Sequence, residues 1–193
     1  MIRFTKIKWK NFLSTGDQWT EVKLNDDGTT LIVGATGAGK STVLEAICFV
    51  LFNKPYRKIT KSQLVNTTNE KGTETEIEFE IGSKQYLVRR GIKPNIFDIE
   101  IDGNMRNKEA DDRVNQKVLE EQILKLNFKS FTQIVILGSS NFIPFMQLNG
   151  PNRREVIEDL LDIKIFSAMN NIVRDKLRAV SYTHLTLPTS HNV

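Results

Sequence analysis

The chain has 193 residues, 39% of them hydrophobic and 11 of them glycine, and carries 27 Lys plus Arg against 23 Asp plus Glu, a formal charge of +4. That length suits one domain with a real core, and the composition excludes wholesale disorder and a fibrous repeat. The longest apolar run, Ala46 to Phe52, is far too short to span a bilayer, which excludes a membrane protein.

The N-terminus shows no basic segment followed by an apolar stretch and a small-residue cleavage site, so a cytoplasmic location is expected. Residues 1–60 hold 9 Lys plus Arg and 5 Asp plus Glu, while residues 61–193 hold 18 of each, so all excess positive charge lies in the first third. There Lys6, Lys8 and Lys10 alternate with Ile7 and Trp9, which on a strand puts the lysines on one face. That face reads either as ordinary solvated surface or as a phosphate-attracting patch.

Thr29 to Val33 is a β-branched run between the turn residues Asn25-Asp26-Asp27-Gly28 and Gly34, and it predicts a buried strand. From Ser41 to Phe52 the apolar residues recur at threes and fours with only Glu45 charged, which predicts a largely buried helix ending before Pro55. Cys48 lies within it, the single cysteine of the chain, and reads as a small core residue. Ile77, Phe79 and Ile81 then alternate with Glu76, Glu78 and Glu80 before Gly82-Ser83 and Tyr86-Leu87-Val88, the pattern of a β-hairpin with one wet, acidic face. Another strand is predicted over Ile96 to Ile101.

A polar helix is predicted from Lys108 to about Leu126, with Val114, Val118, Leu119 and Ile123 on its apolar side. The apolar stretch Phe131 to Leu137 runs into the turn Gly138-Ser139-Ser140-Asn141. Pro151 opens a long helical segment in which Val156, Leu160, Ile163, Phe166, Met169 and Val173 repeat at threes and fours, as at the entry to a coiled coil. After about Val180 the character changes. Residues 181–193 have no charged residue and hold the only two histidines, His184 and His191, so they read as a non-native tail outside the fold.

Gly34-Ala35-Thr36-Gly37-Ala38-Gly39-Lys40-Ser41 matches G-x-x-x-x-G-K-[ST] in full, with Thr42 following and a predicted strand before and helix after. Glycines let the backbone bend so that several N–H groups converge on a β-phosphate, and the helix adds its positive dipole end. Lys40 is expected to reach the β- and γ-phosphates and Ser41 to hold Mg²⁺, so ATP with Mg²⁺ is the expected ligand. Hydrolysis needs more than this loop. No segment of four apolar residues followed by Asp or Glu supplies the second acidic motif, so the chain reads as half of an ATPase site.

Three further groups of residues carry a family resemblance. Ile7-Lys8-Trp9-Lys10-Asn11-Phe12-Leu13-Ser14 resembles the opening strand and Asn-Phe turn of the SMC-like DNA-repair ATPases. Leu44-Glu45-Ala46-Ile47 and Leu51-Phe52 are similar to that family's P-loop helix, and Phe131 to Phe145 with Pro151 to Leu161 resembles the place where its chain leaves the head for a coiled coil. Within the family the likeness is to SbcC-type exonuclease subunits, nearest to the large subunits of tailed-phage recombination endonucleases, over about residues 1–180.

The resemblance implies an α/β P-loop NTPase fold. Residues 1–150 would be the N-terminal lobe of an ABC-type ATPase head with an antiparallel β insert, and 151–180 the start of the coiled-coil helix. It implies as partners a C-terminal lobe of the same protein, a second head in a homodimer, a nuclease subunit and double-stranded DNA ends, in a bacterial or phage-infected cytoplasm. Arg3 and Asn11 would lie near the nucleotide. Many relatives carry a metal-binding glutamine after the apolar stretch; aligned through Phe142, that position is Ser139, a shorter ligand. Two other readings are an ABC transporter-type nucleotide-binding domain and a structural ATP-dependent DNA clamp. The exit into a heptad-like helix after Arg153-Arg154 argues against the first.

Overall fold

The computed structural model describes residues 2–24, 28–106, 111–136, 145–161 and 163–185, and the chain divides into two units, Met1–Pro144 and Phe145–Val193. In the first unit, strands β1 (Ile2–Lys10), β2 (Thr20–Lys23), β3 (Thr73–Ile81), β4 (Lys84–Ile92), β5 (Ile96–Ile101) and β6 (Asn104–Met105) form one sheet in the order β2-β1-β3-β4-β5-β6, with every neighbouring pair antiparallel. Period-2 alternation delivers Ile7 and Trp9 of β1, Ile77 and Phe79 of β3, Val88 of β4 and Ile99 of β5 to the core. Against them packs α1 (Thr42–Phe52), whose Ala46, Cys48, Phe49, Val50 and Leu51 are fully buried. Burial on most of its circumference, with only Leu44 and Ile47 partly open, is what a helix with one charged residue permits. Asn53, in the left-handed region at φ 57°, returns its N–H to Phe49 O and ends it.

Beyond the sheet come α2 (Asp112–Lys117), a π-helical segment Val118–Leu124 and α3 (Phe128–Ile134). The Asp111 side chain caps α2 by accepting from Arg113 N, and that of Asn127 caps α3 by accepting from Ser130 N at 2.8 Å. Phe131 on α3 meets Phe52 with ring centroids 5.0 Å apart and Phe4 edge-on at 6.2 Å, joining α1, α3 and β1 in one aromatic cluster. The second unit holds α4 (Gly150–Leu160) and α5 (Lys164–Leu185), with Asn149 accepting from Asn152 N at the start of α4 and Pro151 in its first turn.

Four expectations need correction. Thr29 to Val33 is neither a strand nor buried: Leu31 is 82% exposed and Val33 78%. β-propensity makes a strand only where a neighbour supplies hydrogen bonds, and no strand of this sheet pairs with the segment. The helix expected over 108–126 is a short α-helix followed by a π-helix over the described residues, and Val114 faces out at 51% exposure. The apolar stretch from Phe131 is helical as far as Ile134, in the helix that Asn127 caps. The helix opened by Pro151 is broken between Leu160 and Lys164, where Ile163 N bonds to Glu158 O and Ser167 Oγ donates to Glu158 Oε1 at 2.5 Å. On α5 the members of the expected apolar repeat, Phe166, Met169 and Val173, are all more than half exposed, and Leu177 and Val180 extend them in the same way. The helix itself runs past Val180 to Leu185.

The charged faces of β1 and β3 are one face. β1 and β3 pair in a register that sets Lys6, Lys8 and Lys10 opposite Glu78, Glu76 and Glu74, at 2.7, 2.7 and 3.1 Å. Arg89 of β4 closes the ladder on Glu74 and Glu76. The hairpin's acidic face is therefore dry at one end, with Glu74 and Glu76 each 8% exposed, while the Glu78 side chain keeps 35% of its surface in water, and the three lysines are engaged in cross-strand pairs. Burial pushes the Glu74 carboxyl up, but hydrogen bonds from Arg89 and Lys10 outweigh it and hold the group below its ordinary 4.5. A carboxyl depressed on folding contributes stability above its unfolded value and loses it as pH falls through the folded one. The melting temperature should therefore drop on acidification below about 4.5, and Glu74→Gln should flatten part of that drop in thermal unfolding followed from neutral to acid pH.

Candidate nucleotide site

Residues 34–41 form a turn-rich loop that leads straight into α1. Gly37 and Gly39 have φ of +87° and +84°, a backbone conformation that side chains disfavour, and this curls the loop. A Cβ at Gly37 would meet nothing within 4 Å, so the loop's curl is open. Lys40 Nζ donates back to Gly34 O at 2.7 Å and Ala35 O at 2.8 Å, a cation held over the loop by neutral acceptors. Ser41 stands at the N-cap of α1 and its hydroxyl makes no capping hydrogen bond.

The loop borders a cavity of about 610 Å³, lined on this side by Thr36, Gly37, Gly39, Lys40, Ser41 and Thr42, and elsewhere by Leu13, Ser14, Arg57, Gln63, Val65 and Thr67. The lining combines loop backbone and two cations, Lys40 and Arg57, with the apolar Leu13 and Val65, the kinds of group that can meet a nucleotide's phosphates and base. Gly34 and Ala35 contribute the carbonyls that hold Lys40, and Ala38 Cβ lies 3.3 Å from where a Gly34 Cβ would be.

Asn11 does not line the cavity. It is 4% exposed, donates to Asp17 Oδ1 at 2.8 Å and Gly72 O at 3.3 Å, and accepts from Asn69 Nδ2 at 2.6 Å. Asn66 joins this knot, donating to Leu13 O and Thr15 O, both at 3.0 Å. Asn66 thereby holds Leu13, itself at φ 53°, in the cavity wall. Arg3 sits exposed near the start of β1, opposite Glu80 in the β3 register, and is not among the cavity's lining residues. Ser139 lies outside the described residues. Among those described, no group of three or more His, Cys, Asp or Glu could hold a metal ion.

Arg57 escaped the sequence reading. Its position is set by Glu45, which is wholly buried on α1 and accepts from Tyr56 N at 2.8 Å, Arg57 N at 2.9 Å and Arg57 Nε at 2.7 Å. The signal available was Glu45 itself, one carboxylate in an otherwise apolar helix. Cys48, three residues further along α1, is inert: burial, with Glu45 adding to it, pushes its thiol far up.

Comparison with known proteins places this geometry in a family. A family model described as an AAA domain matches residues 6–181. The chain belongs to this AAA-domain family. It is 40% identical over 170 residues to "Exonuclease subunit 2" of Enterobacteria phage T4, covering 88% of this chain and 30% of that protein. It is 30% identical over 174 residues to the SbcC component of the SbcCD nuclease of Clostridium acetobutylicum, covering 82% of this chain and 14% of that one. The chain thus spans under a third of the length of these relatives. Among solved structures, the Smc head domain of Pyrococcus furiosus with an extended coiled coil superimposes at a TM-score of 0.63 and 21% identity, over 95% of this chain and 48% of that one. The fold of this AAA domain is therefore that of part of an SMC-type ATPase head. Among the described residues no helix is long and apolar enough to cross a membrane.

Proposed function

We propose that this chain is the ATP-binding half of an SMC-like DNA recombination and repair ATPase that works with a nuclease subunit to process DNA ends. The observation that carries it is the P-loop cavity, which Lys40 and Ser41, just before α1, line together with Leu13, Arg57 and Val65. The names of its relatives, an exonuclease subunit and a component of a nuclease, support the assignment. Lys40 holds the β- and γ-phosphates, the glycine-rich backbone donates to the β-phosphate, and the Ser41 hydroxyl offers a ligand to Mg²⁺. Bound Mg²⁺ would neutralise phosphate charge there. Residues 1–150 serve as the N-terminal lobe and 151–180 as the root of the coiled coil, with 181–193 foreign to both. The assembly is completed, in the cytoplasm, by a C-terminal lobe of the same protein, a second head and a nuclease subunit.

This reading expects the isolated chain to bind MgATP weakly and to turn it over negligibly, since no segment of four apolar residues followed by Asp or Glu supplies the second acidic motif. Calorimetry and a steady-state phosphate-release assay check both halves. Multiple turnover by the chain alone, abolished by Lys40→Ala, would show that the site is complete without another lobe and overturn the half-site reading.

A further inference from the structure

Arg90 on β4 is 4% exposed, a costly place for a guanidinium unless its donors are used. Its Nε donates to Val50 O at 3.0 Å, its Nη2 to Gln116 Oε1 at 2.6 Å, and its Cζ lies 3.7 Å from the centroid of the Phe97 ring. Gln116 on α2 donates in turn to Leu51 O at 2.9 Å and to Glu120 Oε1 of the π-helical segment at 2.6 Å. Val50 and Leu51 belong to the last turn of α1, where carbonyls have no partner within the helix. A cation there also opposes the negative end of the helix dipole. Burial lowers the guanidinium to about 9, against the raising influence of Asp112 and Glu120, so it stays charged at neutral pH.

The helix bolted in this way is the one whose first turn forms the nucleotide cavity. Its 11 residues make it about 16 Å long, so a swing of about 4° about its C-terminus carries Lys40 and Ser41 through about 1 Å. Displacements of that size at a site of this kind change rates on the order of a hundredfold. An apolar pair of similar volume would fill the same space with less desolvation cost, but it would not be directional. A planar fork and an amide aimed at two successive carbonyls fix the helix along and around its axis.

We infer that Arg90 and Gln116 are positioning residues for the nucleotide site: by holding the Val50 and Leu51 carbonyls they set where the start of α1, and with it Lys40 and Ser41, stands in the cavity lining. This rests on the nucleotide-binding reading above. The test is calorimetric MgATP affinity in the longest reading frame that carries this chain, for the unmutated protein, Arg90→Met, Arg90→Lys, Gln116→Leu and Ile99→Ala. Ile99, buried on β5, serves as a control for lost stability, and each variant is measured well below its own melting temperature. Arg90→Met should weaken binding by about tenfold or more, Arg90→Lys and Gln116→Leu by less, and Ile99→Ala should bind as the unmutated protein does despite melting earlier. Should Arg90→Met fail to fold, Arg90→Lys and the half-buried Gln116→Leu carry the same comparison. Unchanged affinity in the Arg90 and Gln116 variants, or an equal loss in Ile99→Ala, would overturn the inference. Absence of MgATP binding by the unmutated protein would instead overturn the nucleotide reading, and this inference with it.

Discussion

Lys40→Ala is expected to weaken MgATP binding roughly a hundredfold, or about 3 kcal/mol, while leaving the melting temperature nearly unchanged. The two expectations come from one geometry. Lys40 Nζ now donates to the carbonyls of Gly34 and Ala35 at 2.7 and 2.8 Å, neutral acceptors that a triphosphate would replace with charged ones. A triphosphate oxygen adds to such a bond a charge–charge attraction that the carbonyls lack, so the exchange favours the nucleotide. The residue is exposed and is not a member of the core, so its loss costs the fold little. Calorimetry beside thermal unfolding separates the two quantities. A variant that bound normally would move the phosphate site away from this loop.

Glu45→Ala should be the most damaging single substitution in the first unit outside its large apolar side chains. Three donors converge on this buried carboxylate: the backbone N–H groups of Tyr56 and Arg57 and the Arg57 guanidinium. Truncation leaves them without their acceptor and opens a cavity in the largely buried helix, at a cost of about 3–5 kcal/mol. It also frees Arg57 from its seat at the rim of the nucleotide cavity, so affinity should fall in the fraction that remains folded. Denaturant unfolding of Glu45→Ala and Glu45→Gln reads the first effect, with the glutamine variant intermediate because one oxygen survives as an acceptor. A loss within about 0.5 kcal/mol would show that the donors find water instead.

What could be read in the sequence was what is local. The P-loop needs eight consecutive residues, the β3–β4 hairpin needs alternation around Gly82-Ser83, and α1 needs a 3.6-residue rhythm; each lies within one window. What could not be read depends on partners distant in the chain. The lysines of β1 and glutamates of β3 each looked like a solvated face, and only the register between two strands separated by the whole of α1 showed that they neutralise each other. Asn11 was assigned to the nucleotide by position, whereas its amide is tied into the knot with Asp17, Asn69 and Gly72, and its neighbours Leu13 and Ser14 line the cavity. Arg57 and Arg90 differ from other arginines only in where their donors end, which spacing does not encode. Thr29 to Val33 failed for the opposite reason: its composition suits a strand, but a strand is a relation between two segments and this one lacks the second.

That lone ribbon has a consequence for how the polypeptide behaves before any assembly exists. Leu31, Ile32 and Val33 present apolar side chains to water, and residues 29–35 carry no strand pairing. No proline interrupts this stretch and the first cation after it is Lys40. Newly made copies meeting at high local concentration have in it a ready template for one another. Slow synthesis or prompt capture of the ribbon would then decide yield more than the intrinsic stability of the sheet and α1 beside it.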